Sequence, residues 1–302
     1  MTDDIDEVVA RLMAYQAAVG ERHALINGWV DDIAMADSLA ASARDTLVAR
    51  HDGVVVGHLR GTVLASSVYG ESVWINPEGV SYDNPEILSA LYAAAATRWL
   101  GAGATRHYVW VPRDDDAIGP WRHLGFAYMH QRGAKYLEDP ARVEWPEGYA
   151  IRRGSIDDLE VALELDDVLR LAQEEGPSFA LGLADTGQRD EWIETLEDPT
   201  VTHYLVEHDG HAVAQCATFA LPERVGTFDN TVHLSAVSVR PEHRARGVGR
   251  AMVTHALETA RREGFAIAET NWRVTNHRAG RYWRSFGFEE TYLRLHRHVG
   301  VG

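Results

Sequence analysis

The chain has 302 residues, enough for two domains of ordinary size, and 45% of them are hydrophobic, so a sizeable core is available. Its formal net charge of -16 argues against a broad nucleic-acid surface and favours a cationic partner such as an amine. Cys216 is the single cysteine, which excludes an intrachain disulfide and suits the cytoplasm; no apolar run reaches membrane-spanning length, and the start MTDDIDEVVA lacks the basic-then-apolar pattern of a signal peptide.

In chain order, helical spacing runs over residues 3–19 and again over 22–45, with a break expected near Asn27-Gly28. Residues 46–65 read as strand, His51-Asp52-Gly53 turn, strand. A strand is expected over Ser72–Ile75, a helix over Pro85–Leu100 and a strand over His107–Val111. The loop before that helix, from Glu78 to Pro85, has no arginine and no paired glycines and carries Asp83. An anion would be repelled there. This half is therefore expected to lack a phosphate site and to shape a substrate cleft or a homodimer surface instead. The Pro-, Gly- and charge-rich stretch 138–149 reads as a linker.

Beyond it, Tyr149–Arg153 reads as a strand and Ser155–Leu171 as a helix with Ser155 as N-cap. Gln173–Leu183 reads as a loop and Gln188–Leu196 as a short helix. Glu174, Glu175, Asp185 and Trp192 are the side chains this region offers to a cationic acceptor. Residues 204–221 repeat the strand–turn–strand pattern around His208-Asp209-Gly210, 157 residues after the first such turn (208 minus 51). Trp283-Arg284-Ser285-Phe286-Gly287-Phe288 likewise repeats Trp121-Arg122-His123-Leu124-Gly125-Phe126 at an offset of 162 (283 minus 121). Two landmarks in order at nearly constant offset argue for duplication, with domains 1–137 and 150–302 joined by 138–149.

The second half carries the chemistry. An apolar strand, His233–Val239, stops at Arg240-Pro241, and Arg244-Ala245-Arg246-Gly247-Val248-Gly249 leads into a helix that Gly264 ends. The first turn of a helix has backbone N–H groups without internal partners, and its dipole adds positive charge. Gly247 and Gly249 let a phosphate approach the backbone, and Arg244, Arg246 and Arg250 add fixed charge. The loop lacks the Gly-Lys-Ser/Thr of a Walker A site and the third glycine of a dinucleotide fingerprint.

Val239-Arg240-Pro241 followed by Arg244-x-x-Gly247-x-Gly249 resembles the acetyl-CoA loop of the GNAT N-acetyltransferases. Asn276, Ala279 and the run Tyr282 to Phe288 resemble that family's second motif at the right distance. The resemblance covers residues 150–302 well and implies an α/β (α+β) fold: two tandem GNAT units, each a mixed, mostly antiparallel twisted sheet flanked by helices. It implies acetyl-CoA as co-substrate and direct acetyl transfer to an amine. It implies that Val237, Ser238 and Val239 bind the pantetheine and thioester through the backbone. Ala245, Val248 and the rest of the loop would bind the pyrophosphate, and Asn276 the pantetheine arm.

His233 is the expected general base, since an imidazole titrates near the working pH and a base is needed to free a protonated amine. Strand alternation is expected to place it on one face with Ser235, Val237 and Val239. Glu223 and Asp229 stand in reserve. The family acid falls at Trp283, which has no acidic hydroxyl, so Tyr282 is the expected substitute. The missing tyrosine also motivates a competing expectation, a module that senses acetyl-CoA without catalysis. A two-domain synthase similar to mycothiol synthase shares the tandem plan. No H-E-x-x-H or C-x-x-C spacing occurs, so no metal site is expected; Cys216 is expected to be buried, and His296 and His298 to face solvent.

Overall fold

The computed structural model describes residues 2–26, 36, 45–66, 70–139, 142–180, 188–222 and 225–300. They form two units: Met1–Arg132 with Glu223–Phe228 and Glu289–Gly302, and Gly133–Pro222 with Asp229–Phe288.

In the first unit, helix α1 (Thr2–Arg22) buries Val8, Val9 and Leu12 in a cluster with Val55. The helix stops at Arg22, and a single 3-10 turn follows at Ala24–Ile26; the rest of the helix expected over 22–45 lies outside the described residues, except Ala36. Strands β1 (Thr46–His51) and β2 (Val54–Arg60) form the expected hairpin. Its turn needs two left-handed residues, supplied by Asp52 (φ 50°) and Gly53 (φ 83°). Strand β3 (Thr62–Ser66) pairs with β4 (Gly70–Ile75), and the short β5 (Val80–Tyr82) pairs with β2. Helix α2 (Pro85–Gly101) returns the chain to β6 (Arg106–Pro112), which runs parallel to β4. Helix α3 (Asp115–His123) and strand β7 (Ala127–Tyr136) follow.

The second unit begins within β7. Strand β8 (Tyr149–Arg153), helix α4 (Leu159–Glu174) and helix α5 (Gln188–Glu197) precede an antiparallel run of β9 (Val201–His208), β10 (His211–Ala220) and β11 (Thr231–Val239). The β9–β10 turn uses Asp209 (φ 51°) and Gly210 (φ 76°), the same device as Asp52-Gly53. Helix α6 (Val248–Arg262), strand β12 (Ile267–Arg273) and helix α7 (His277–Arg284) complete the unit. Val248, Met252, Val253 and Ala256 of α6 bury against Val232 and Leu234 of β11. Cys216 is fully buried in this core, and burial pushes its thiol up to about 12, so it is no nucleophile at neutral pH.

Two findings depart from the sequence reading. The last strand, β13 (Glu289–His298), was expected to close the second domain. It belongs to the first unit, where it pairs antiparallel with β6 from Tyr292↔Pro112 to His298↔Arg106. The unit boundary is thus not the expected linker, because long-range pairing, not chain order, allots a strand to a sheet. His298 is exposed as expected, while His296 is half-buried.

The second departure is in β11. Its register against β10 slips between Gln215 and Ala217, and Ala236 takes φ 51°. This bulge places an extra residue on β11 and inverts the alternation beyond it. Val237 and Val239 therefore share the α6 face with Val232 and Leu234, and His233 does not lie on their face as expected.

Candidate active site

Strands β11 and β12 are parallel only at Thr231↔Ile267, Val232↔Ala268 and His233↔Glu269. The Thr270 hydroxyl donates to the Leu234 carbonyl at 3.0 Å, one step further. Past that point β11 stays with β10, through Ala217↔Ser235, Gln215↔Ser238 and Ala214↔Val239. The ladder between β11 and β12 ends at His233–Glu269, and the two strands part there. Backbone along Ser235–Val239 thus lies beyond the last rung shared with β12.

The parted strand leads into the loop. Arg240 N–H donates to the Val213 carbonyl at 2.9 Å, a 3-10 turn follows at Pro241–His243, and Ala245 (φ 59°) and Gly247 (φ 85°) reverse the chain into α6. Gly247 is the N-cap and has no side chain to offer; the Ala251 N–H donates to its carbonyl at 2.9 Å, which leaves the N–H groups of the first turn for an outside acceptor. The first unit does the opposite. There Asn84 caps α2 by accepting from Ile87 N at 3.0 Å, Pro85 removes one N–H, and Asp83 is ion-paired with Arg11. Its Tyr82 hydroxyl donates to the Ala117 carbonyl at 3.4 Å.

The three loop arginines are not equivalent. Arg244 Nε donates to the Val239 carbonyl at 3.0 Å and so fixes the loop to the strand end. Arg250 donates to Ser285 Oγ at 2.7 Å and lies 4.6 Å over the Phe286 ring, which ties α6 to α7. Arg246 is exposed. Asn276 Oδ1 accepts from Ala279 N at 3.0 Å and so caps α7. Ser238 is buried, and its hydroxyl has no hydrogen-bond partner among the described residues.

His233 is buried on the last shared rung. Its Nδ1 is 3.5 Å from Glu269 Oε1, and its ring centroid is 5.2 Å from that of Phe219. Glu269 was missed in the sequence, where it is one of several polar residues in the run Ile267–Arg273 and carries no local signal of its own. Trp283, at the family-acid position, is buried in the core with Trp272 and Phe288. Tyr282 of α7 packs against Gly249 at the start of α6, its hydroxyl buried without a hydrogen-bond partner among the described residues. Burial and the nearby Cys216 raise its pKa, with Arg250 opposing.

Of the acidic residues expected on the acceptor side, Glu174 is ion-paired with Arg170, Glu175 is exposed, and Asp185 lies outside the described residues, as does the reserve base Glu223. Asp229 is exposed ahead of β11. Trp192 is buried against His203, with ring centroids 5.3 Å apart. Asp166 of α4 accepts from Gln188 at 2.5 Å, and burial raises its carboxyl. Gln173 and Ser178 fasten the α4 end to Arg273 and Thr275 at 3.1 and 2.9 Å. Among the described residues no group of three His, Cys, Asp or Glu side chains is placed to hold a metal ion, and no helix is long and apolar enough to cross a membrane.

Residues 165–288 match the family model described as "Acetyltransferase (GNAT) family". A putative [ribosomal protein bS18]-alanine N-acetyltransferase of Bacillus subtilis is 22% identical over 109 residues, which span 36% of this chain and 68% of that protein. Among solved structures, a GCN5-related N-acetyltransferase from Sphaerobacter thermophilus superposes with a TM-score of 0.65 at 17% identity, covering 100% of this chain and 95% of its own. A tandem GNAT protein from the clavulanic acid biosynthesis pathway gives 0.58 at 17% identity, covering 98% and 96%. The uncapped helix after a parted strand, the family match over it and the end-to-end fold similarity together identify the chain as an acyltransferase with a GNAT-family domain in its second half and the tandem GNAT fold throughout.

Proposed function

We propose that the second unit transfers acetyl from acetyl-CoA to a primary amine of a small molecule or peptide. The observation that carries this reading is the parting of β11 from β12 directly ahead of an uncapped helix start. The free amides of Gly247, Val248, Gly249 and Arg250 suit a pyrophosphate, with Ala245 shaping the turn and Arg244 and Arg246 adding charge. The backbone of Val237–Val239 suits the pantetheine arm and the thioester oxygen, and the Asn276 amide that remains beside its cap suits the arm's far side. Acetyl-CoA supplies an activated acyl group with a thiolate leaving group.

His233 takes the amine proton as base, a role worth about a hundredfold or more. Tyr282 returns a proton to the sulfur. A cationic acceptor fits a chain of net charge -16. The first unit, whose helix start is capped by Asn84 and flanked by Asp83, takes no pyrophosphate and serves as scaffold.

One observation favours the second reading, a sensor without turnover: Trp283 fills the family-acid position with an indole. Thiol release over a panel of amines and peptides separates the two. Turnover on any amine, with the rate cut about a hundredfold in His233→Ala at unchanged CoA affinity, supports the enzyme. Tight CoA binding with no turnover on any acceptor supports the sensor.

A further inference from the structure

His233 and Glu269 are cross-strand partners on the last rung that β11 and β12 share. Their backbones are held on both sides: β11 by its ladder to β10, with Phe219↔His233 in register, and the next step by Thr270 donating to the Leu234 carbonyl at 3.0 Å. The Glu269 side chain is 6% exposed, and its Oε1 lies 3.5 Å from His233 Nδ1, a buried atom with no hydrogen-bond partner among the described residues. The Phe219 ring packs on the imidazole at a centroid distance of 5.2 Å. The pairing thus lies where the strands part, which is where a strand-borne base must act.

We infer that Glu269 is a positioning residue for His233: it holds the imidazole as the Nδ1–H tautomer and so leaves the lone pair on Nε2 as the proton acceptor. This rests on the reading of His233 as base. A neutral imidazole has one donor and one acceptor nitrogen, and the partner of one nitrogen selects the state of the other. As the amine nitrogen bonds to the thioester carbon, its proton passes to Nε2, the C–S bond breaks, and the thiolate carries off the electron pair. The imidazolium so formed then faces the Glu269 carboxylate across a 3.5 Å gap.

The test uses the full chain with 15N-labelled histidine and two variants. Glu269→Gln keeps an acceptor for Nδ1–H but removes the charge; Glu269→Leu removes both. Two-bond 1H–15N spectra at neutral pH are expected to show His233 as Nδ1–H in the parent and in Glu269→Gln, and as Nε2–H or a mixture in Glu269→Leu. Turnover is expected to fall about tenfold in Glu269→Gln and further in Glu269→Leu, with CoA affinity unchanged in both. An Nε2–H tautomer in the parent overturns the inference, as does an Nδ1–H tautomer that survives in Glu269→Leu. Should Glu269→Leu fail to fold, the parent tautomer and the Glu269→Gln rate still decide it. Loss of turnover in Glu269→Gln with full turnover in His233→Ala would make the carboxylate itself the base and also overturn it. If the tautomers behave as expected but His233→Ala turns over normally alongside Glu269→Gln, the pairing stands and the base reading fails.

Discussion

Gly249 packs directly against Tyr282: a Cβ at Gly249 would lie 3.2 Å from the tyrosine hydroxyl oxygen and 3.3 Å from Val239 Cγ2. One glycine thus joins the start of α6, the face of α7 and the end of β11. Gly249→Val forces a branched side chain into this junction. The expected result is at least a tenfold loss of CoA affinity by calorimetry. An unchanged affinity would show that the junction does not border the ligand.

Gly247 differs in kind. Its φ of 85° is one that L side chains rarely adopt, and among the described residues a Cβ there meets only Pro146 Cγ, at 3.5 Å. A substitution therefore strains the backbone more than it crowds space. Gly247→Ala is expected to cost about 1 kcal/mol of stability as well as CoA affinity. Urea unfolding checks it; an unmoved midpoint would mean that the loop adopts another path.

His58 makes the first unit acid-sensitive. It is fully buried, its two ring nitrogens engaged by Ser81 Oγ at 2.8 Å and the Glu78 carbonyl at 3.0 Å. Burial pushes its imidazole from 6.5 down to about 4, with the Glu78 contact opposing. The unfolded chain then binds a proton that the folded chain refuses. This stability is present above pH 6.5 and is lost as pH falls towards about 4, by about 3 kcal/mol in all. His58→Gln is expected to flatten that dependence between pH 7.5 and 4.5, measured by urea unfolding. A slope equal to the parent's would refute the assignment.

Removing residues 289–302 should harm the unit that precedes the expected linker. β13 buries Tyr292, Leu293 and Leu295 in the first unit, and full burial of such a side chain contributes about 1.5–3 kcal/mol. Amide exchange in the truncated chain is expected to speed up along Arg106–Pro112 while Val248–Arg262 stays protected. The reverse pattern would return β13 to the second unit.

Gly154 faces the His203 ring, whose Nδ1 would lie 2.1 Å from an added Cβ. The ring is not free to yield, because its Nε2 bonds Gln215 Oε1 at 3.0 Å and Gln215 Nε2 donates to the Ala162 carbonyl at 3.1 Å. Gly154→Ala is expected to cost about 1–3 kcal/mol through overpacking. A thermal midpoint within a degree of the parent would show that the ring moves at no cost.

Features that neighbouring residues can encode are readable from the chain alone. The paired turns at Asp52-Gly53 and Asp209-Gly210, the Gly247 helix entry and the C-terminal Gly264 (φ 97°) all depend on a few consecutive residues and their backbone preferences. The signals of a duplicated chain and a phosphate-type loop were legible for the same reason. Other features arise from pairing between distant segments and are fixed by the fold. The bulge at Ala236 lies in the pairing of β11 with β10, and beyond it the side chains of β11 that face α6 change parity. Glu269 meets His233 because two strands 36 residues apart share a rung, and β13 joins β6 across a still longer separation. Alternation in a strand states which residues share a face; it does not state which strand lies alongside, since many partners can cover the same apolar face.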